Sequence, residues 1–464
     1  MAFKFFRVIL RPYFSNFYMS IKEYLPFYKR NLQIGIPVLL SQLGQMLVQQ
    51  ADNIMLGHVG TNELAAASFA GSVFMNGLIF GMGFTFGLTP LVGKAFGENN
   101  KANAAKLFQN SMIANFFMGF ILTVIMFGVS FLMDNMGQPH KVVEMAMPYY
   151  YIQVFSMIPF LMFFTFKQFA EGIGNTKAAM FVTLSSNVIN IIFNYLFIFG
   201  KFGFPEYGVV GAAYATFIAR TISPILFLLI FIKRQKFKQY FTYFKISNFN
   251  RPYFFRLIKI GIPVGFQMII EMFAFSIGSI MMGWFGTVPI AAHQIALGLS
   301  SLTFMLASGI AQGTTIRVSH QLGAHNYSDM RKAVFASVHL ILLFMSFTAT
   351  MFLLFRTQLA QIYSVDNQVI DLAAKLLIVA SVFQIFDGMQ IVTLASLRGI
   401  ADVKRPLLYA IISFSVIGLP VGYLCAFILN LGPQGIWYGF LAALGFASVL
   451  FYTRFNKLSL KLLQ

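Results

Sequence analysis

Charged residues are scarce in this sequence. Asp, Glu, Lys and Arg make up 10% of its 464 residues, and 58% of the residues are hydrophobic. Soluble proteins contain about 25% charged residues, so the composition excludes a soluble enzyme or binding module. Uncharged stretches run over residues 64–93, 272–316 and 406–453, and about 20 apolar residues span a membrane as a helix. Short alternating strands are absent, and a lipid-embedded backbone must satisfy its own hydrogen bonds. We therefore predict an all-α membrane protein.

Other absences narrow the function further. A single cysteine, Cys425, excludes an intrachain disulfide bond. The sequence shows no nucleotide-binding glycine loop, no nucleophile–base pair and no ligand cluster for a transition metal. We expect neither an ATP-driven pump nor an enzyme, and no bound cofactor. The N-terminal residues lack the apolar core of a cleavable signal peptide. Their basic and aromatic character predicts a segment that lies on the inner membrane surface.

Hydropathy and turn residues predict twelve transmembrane helices. They lie near 31–56, 64–93, 107–133, 146–168, 178–200, 208–232, 257–283, 290–316, 333–355, 370–395, 406–428 and 434–453. Of the 33 Lys and Arg residues, 28 fall on one side of this arrangement. The positive-inside rule makes that side the cytoplasm, with both termini there and the protein in the plasma (inner) membrane. We therefore attribute the net charge of +19 to the membrane topology, and we expect no nucleic-acid binding.

The sequence also repeats itself. "IGIPV" occurs at Ile34–Val38 and again at Ile260–Val264, a shift of 226 residues, and "GIGNTK" from Gly172 resembles "GIADVK" from Gly399. Halves with six helices each enter the membrane from the same side, which predicts two lobes related by a pseudo-two-fold axis along the membrane normal. Two lobes that rock about a midplane site are the usual solution for secondary transport.

The predicted organisation follows from this repeat and from the basic segments that flank each half. It comprises a cytoplasmic tail (1–30), an N-lobe (31–232), a cytoplasmic linker (233–256), a C-lobe (257–455) and a second cytoplasmic tail (456–464).

Carboxylates inside predicted spans are the candidate functional residues. Asp52 lies in the first predicted helix, Glu271 in the seventh and Asp387 in the tenth. A charge in a membrane span costs roughly 2.5–3.5 kcal/mol on insertion scales, which favours a function over a structural hydrogen-bonding role. Amide side chains share their helix faces: Gln45 and Gln49 with Asp52, Gln267 with Glu271, and Gln384 with Asp387. Buried carboxylates suit proton uptake and release, whereas two of them with amide oxygens can instead bind Na⁺.

Six stretches taken together resemble the multidrug and toxic compound extrusion (MATE) family, and its NorM-like branch in particular. They are "PVLLSQLGQMLVQQADNIMLG", "IFNYLFIFGKFGFPEYGVVG", "IPVGFQMIIEMFAF", "AAHQIALG", "IRVSHQLG" and "FQIFDGMQIVTLASLRG". The resemblance covers nearly the whole chain after about Leu32. It implies efflux of cationic, amphipathic drugs in exchange for Na⁺ or H⁺.

The resemblance also implies roles for individual residues. The acidic residues of that branch correspond to Asp52, Glu271 and Asp387, which implies cation coupling at these positions, with Na⁺ bound at the latter two. Its asparagines near the N-lobe carboxylate correspond to Asn190 and Asn194. A tyrosine of the family is replaced by Phe383 here, which removes a hydroxyl ligand from the C-lobe site.

We therefore predict an antiporter that exports lipophilic cations, that lies among membrane lipids and that acts as a monomer. The alternative is a lipid-linked oligosaccharide flippase of a related fold, which would favour cationic residues in its cavity to hold pyrophosphate. Arg220, inside the sixth predicted helix, is the residue that fits this alternative. A membrane enzyme is the third reading. His293 is interpreted as a hydrogen-bonding residue between packed helices.

Overall fold

The computed structural model describes residues 21–245 and 249–464. Residues 1–20 of the predicted N-terminal tail and 246–248 of the predicted linker lie outside it. The helices are α1 (Ile21–Val59), α2 (Thr61–Phe86), α3 (Leu88–Gly97), α4 (Lys101–Ser130), α5 (His140–Phe155), α6 (Met157–Gly172), α7 (Thr176–Phe199), α8 (Gly208–Lys233), α9 (Gln235–Phe241), α10 (Arg251–Gly283), α11 (Thr287–Gly323), α12 (Tyr327–Leu354), α13 (Arg356–Gln361), α14 (Asn367–Gly399), α15 (Lys404–Ala410), α16 (Leu419–Tyr423) and α17 (Pro433–Leu463). Two π-helical segments, Ile411–Gly418 and Leu424–Ile428, flank α16.

The fold class predicted from the sequence is confirmed. The described residues contain helices and no strand, and ten of their helices are long and apolar enough to cross a membrane. An eleventh candidate span is the pair α5 and α6, which meet at an angle of 41°. Helix α1 is not among these candidates. It carries Gln42, Gln45, Gln49, Gln50 and Asp52, and these side chains lower its mean hydropathy. Twelve spans therefore stays a prediction.

The chain forms two compact units. The N-terminal unit comprises Leu40–Ile269, and the C-terminal unit comprises Ile270–Gln464 together with the described residues up to Leu39. These units differ from the predicted lobes in two places. The first half of α1 packs within the C-terminal unit, and the first half of α10 packs within the N-terminal unit. Helices α1 and α10 thus each contribute one half to each unit.

Glycine contacts explain this exchange. In the C-terminal unit, a Cβ on Gly35 of α1 would lie 3.1 Å from the carbonyl oxygen of Gly309 in α11. In the N-terminal unit, a Cβ on Gly261 of α10 would lie 2.6 Å from the carbonyl oxygen of Phe84 in α2. Small residues let helix backbones approach this closely, which is how membrane helices gain packing energy. Gly35 and Gly261 belong to the two "IGIPV" copies, so the repeated motif marks one repeated contact.

The same symmetry appears where the helices end. A Cβ on Gly172 would lie 2.9 Å from Val92 Cγ1, and a Cβ on Gly399 would lie 2.6 Å from Val318 Cβ. The pairs Gly172/Gly399 and Val92/Val318 are related by the sequence shifts of 227 and 226 residues. The internal repeat therefore extends from sequence to packing within each unit.

The glycine contact in α10 predicts a specific loss of stability. Gly261→Ala places a methyl group against the Phe84 carbonyl oxygen, and overpacking of this kind costs about 1–3 kcal/mol. Gly71→Ala is the matched control, because Gly71 lies in the same unit, is helical, and has no atom within 4 Å of its would-be Cβ. We expect Gly261→Ala to lower the thermal unfolding midpoint of the detergent-purified protein, and Gly71→Ala to leave it unchanged or raise it. Equal midpoints for the two variants would refute the contact.

Candidate functional site

A line of amide side chains leads to Asp52 in the N-terminal unit. Asn194 Nδ2, on α7, donates a hydrogen bond to Asp52 Oδ1 on α1. The same Nδ2 donates a second hydrogen bond to Asn190 Oδ1 at 3.1 Å. Asn190 Nδ2 in turn donates to Thr216 Oγ1 on α8 at 3.3 Å. Asn190 and Asn194 are buried, whereas Asp52 is partly exposed. The structure therefore brings together the aspartate and the two asparagines that the sequence resemblance associated.

Arg220 of α8 lies beside this group. Its Nη1 donates to Gln153 Oε1 at 2.7 Å and to Ser156 Oγ at 2.5 Å. Ser156 is the residue between α5 and α6, so the arginine supports the bend in that helix pair. The guanidinium also lies 5.0 Å from the ring centroid of Phe160 and interacts electrostatically with Asp52. The sequence offered no partner for Arg220, because its partners come from another helix pair.

In the C-terminal unit, Glu271 and Asp387 form a carboxylate pair. Gln390 Nε2, on α14, donates to Glu271 Oε1 on α10 at 2.8 Å. Asp387 is 6% exposed, and its carboxylate forms no hydrogen bond with any residue that the structure describes. The two carboxylates interact electrostatically with each other, and Glu271 also does so with Arg398. This group therefore combines two acidic side chains, and Arg398 is one cation that interacts with it.

The other predicted C-lobe residues border this pair. Gln384 is fully buried and accepts a hydrogen bond from Thr348 Oγ1 at 3.0 Å, while its Nε2 has no partner among the described residues. The Phe383 ring packs 5.4 Å from Trp437 and 6.2 Å from Phe275, between centroids. Phe383 therefore packs among aromatic rings and has no hydroxyl group to offer, so a Na⁺ ion would rely on carboxylate and amide oxygens.

His293 has the packing role predicted for it. Trp437 Nε1 donates to His293 Nδ1 at 3.2 Å, and His293 Nε2 lies 2.9 Å from Ser279 Oγ. A nitrogen that accepts from an indole N–H is unprotonated, so Nε2 carries the proton and donates to the serine. The histidine is fully buried and joins α10, α11 and α17.

Three further predicted polar residues lie on α1 and α10. Gln49 is exposed and Gln45 partly so, and neither side chain forms a hydrogen bond within the described residues. Gln267 is buried, one turn before Glu271 on α10.

A buried ion pair escaped the sequence analysis. Lys167 Nζ and Glu171 Oε1 lie 4.0 Å apart in α6, with side chains 4% and 2% exposed. Glu171 occupies the last turn of α6, and that turn is buried. The i,i+4 spacing of opposite charges was the available signal.

The two units differ in the charge of their sites. When ionised, Asp52 is matched by Arg220, so the N-terminal group carries no net charge. The C-terminal group contains two carboxylates, Glu271 and Asp387, that interact with each other. Two carboxylates in a low-dielectric site repel each other. A cation added to the C-terminal group would reduce that repulsion.

The Arg220 geometry predicts a stability effect that a mobile, substrate-holding cation would not show. Arg220→Lys keeps the charge, but a point-like ammonium cannot reproduce the planar guanidinium's contacts with Gln153, Ser156 and Phe160. Each buried group left unpaired costs about 1–3 kcal/mol. We expect Arg220→Lys to lower the thermal unfolding midpoint, and Arg356→Lys, at an exposed position of α13, to leave it unchanged. An unaltered midpoint in Arg220→Lys would contradict this supporting role.

These features define a class: a multi-pass helical membrane protein of two repeated units, each with an acidic group inside its helices. The MatE family model matches residues 37–196 and 263–424. The chain belongs to the MatE family, the multidrug and toxic compound extrusion transporters.

Individual relatives agree with this family over most of their length. A protein of Agrobacterium fabrum (strain C58), named probable multidrug resistance protein NorM, is 31% identical over 433 residues, which cover 92% of this chain and 93% of that protein. A protein of the same name from Rhizobium meliloti (strain 1021) is 29% identical over 436 residues, with 93% of each chain covered.

A solved structure shares the fold. It is described as the outward-facing conformation of a multidrug resistance MATE family transporter of the MOP superfamily. It is similar with a TM-score of 0.85 at 20% identity, over 94% of this chain and 96% of that chain. The likeness extends to the two-lobe architecture.

Proposed function

We propose that the protein is a cation-coupled antiporter that exports lipophilic cations by alternating access, in exchange for H⁺, Na⁺ or both. The observation that carries this proposal is the pair of acidic side chains, Glu271 and Asp387, which interact electrostatically in the C-terminal group. Such a group favours any cation that reaches it, so a drug cation and a coupling cation can replace one another. The multidrug resistance names of the NorM relatives support small compounds as cargo.

Protons are the first coupling ion that we propose. A proton would neutralise Asp52 in place, and Arg220 and Asn194, which stabilise the ionised carboxylate, would favour release of that proton again. Na⁺ is proposed as a second ion at Glu271 and Asp387, where two carboxylates interact. Among the described residues no group of three or more His, Cys, Asp or Glu side chains converges, so amide oxygens such as that of Gln384 would complete its coordination.

The flippase alternative has less support. It requires cationic side chains that are available to hold pyrophosphate. Arg220 instead donates to Gln153 and Ser156 and lies against two aromatic rings. An arginine with these contacts serves the helix bend, and releasing it would leave buried acceptors unpaired.

The remaining parts of the proposal concern the setting of the protein. We propose the plasma (inner) membrane, with both termini in the cytoplasm, on the distribution of Lys and Arg. We further propose that a monomer among membrane lipids performs transport, with neither ATP nor a bound cofactor.

Asp52→Asn tests the coupling role of the N-terminal carboxylate. The substitution keeps the shape and the hydrogen bond with Asn194 but removes the charge and its titration. We expect gradient-driven efflux of an ethidium-like dye from proteoliposomes to fall to the level of empty vesicles, with an unchanged thermal midpoint. Asp371→Asn is the control, because Asp371 is an exposed acidic residue of α14, and it should transport as the parent does. Full efflux by Asp52→Asn would show that Asp52 is only a hydrogen-bonding node.

Imposed gradients separate the two coupling ions. We expect an inward pH gradient, applied without Na⁺, to drive dye efflux from parent proteoliposomes. A Na⁺ gradient at equal pH should also drive it, and Asp387→Asn should reduce the Na⁺-driven rate more strongly than the proton-driven rate. If only the Na⁺ gradient drives efflux, the proton part of the proposal is wrong.

A further inference from the structure

An apolar groove runs along the N-terminal unit between α7 and α8. Its walls are residues between Phe181 and Ile189 on α7 and between Leu226 and Lys233 on α8, together with Arg234 just after α8, and its volume is about 810 Å³. Phe181, Val188 and Leu229 on its walls are strongly exposed, so in a membrane they face lipid. The groove does not involve Asp52, Asn190 or Asn194.

The groove has the length of one membrane leaflet. Phe181 and Ile189 are eight positions apart on α7, and Leu226 and Lys233 are seven positions apart on α8. At 1.5 Å per residue this is about 12 Å, and half of the hydrocarbon core measures about 15 Å. By the predicted topology, α8 ends at the cytoplasmic surface, so the groove lies within the inner leaflet.

Two cations stand at the cytoplasmic end of the groove. Lys233 is the last residue of α8 and Arg234 follows it, and both line the groove and are exposed. Neither side chain forms an ion pair or a hydrogen bond with any residue in the described ranges. The remaining lining is almost wholly aliphatic or aromatic, with Ser185 as the exception. An apolar slot with a cationic mouth matches a molecule that has an apolar chain and an anionic head.

We propose that this groove binds an anionic phospholipid of the inner leaflet, with an acyl chain along α7 and α8 and the phosphate group at Lys233 and Arg234. Basic pockets between membrane helices on the cytoplasmic side suit anionic headgroups. A cationic drug is excluded as occupant by the two positive charges. The site is separate from the proposed transport groups, so it holds whether or not the protein exports drugs.

The test measures lipid preference in the full-length, detergent-purified protein. Phosphatidylglycerol and phosphatidylcholine with identical acyl chains compete for the protein, and native mass spectrometry counts each bound lipid. We expect the parent to prefer phosphatidylglycerol. Lys233→Gln/Arg234→Gln should reduce that preference roughly thirty-fold, since each cation near the surface contributes about five-fold. Ser185→Trp, which fills the groove, should reduce binding of both lipids.

Two control variants distinguish a specific lipid site from general electrostatic attraction between basic residues and anionic lipid. Lys236→Gln/Lys238→Gln removes the same charge from the neighbouring helix α9, at exposed positions outside the groove, and should keep the parent's preference. Lys233→Arg/Arg234→Lys keeps both charges and should also keep it. If Lys233→Gln/Arg234→Gln fails to fold, the charge-swapped pair and Ser185→Trp still test whether the groove binds the lipid.

Three results would overturn the proposal. The first is an equal loss of preference in the groove pair and the α9 control pair, which indicates long-range charge alone. The second is unchanged lipid binding in Ser185→Trp. The third is displacement of the lipid by inorganic phosphate, which indicates a simple anion site without a role for the acyl chain.

Discussion

Close contact between helix backbones is the constraint on which this structure depends. Inside a membrane, lipid chains are as apolar as leucine, so helices associate by tight packing and interhelical hydrogen bonds. Gly35 against Gly309 and Gly261 against Phe84 provide such packing in the two units. These contacts hold the first halves of α1 and α10 in the opposite unit from their second halves. Asp52 and Glu271 consequently lie on the two helices that both units share.

The repeat supplies a common scaffold, and the buried charges make its halves different. The position of Asp387 is occupied in the first half by Phe160, and that of Asp52 is occupied in the second half by Gly278. Arg220 uses the face of Phe160, and a Cβ on Gly278 would meet the Phe440 ring at 2.2 Å. The N-terminal unit therefore has one carboxylate beside Arg220, whereas the C-terminal unit has a pair of carboxylates, Glu271 and Asp387.

Much of this arrangement could be predicted from the sequence. Membrane composition, helix positions and the internal repeat are encoded in single residues and their spacing, and these gave the fold class. The three carboxylates stood out because charges in apolar runs are rare. The pairing of Asp52 with Asn194 came from family resemblance, because residues 142 positions apart share no local pattern.

Other features depend on tertiary contacts that no local pattern contains. The exchange of helix halves requires knowledge of which glycines meet across helices. The partners of Arg220 come from the bend at Ser156, which is a property of two helices together. Lys167 and Glu171 lie near the end of the fourth predicted span, yet both side chains are buried. A charged residue near the end of a predicted span usually lies at the membrane surface. The packing of the surrounding helices decides whether a particular residue is buried instead.

The central claim is that organic and coupling cations compete for the same buried carboxylates. Linkage requires such competition to be reciprocal, so each cation must weaken the binding of the other by the same factor. The most direct measurement is equilibrium binding of a fluorescent lipophilic cation to the purified protein, as pH and Na⁺ concentration are varied independently. We expect dye affinity to fall as pH decreases or as Na⁺ increases, and Asp387→Asn to weaken both effects. A dye affinity that is independent of both ions would contradict it.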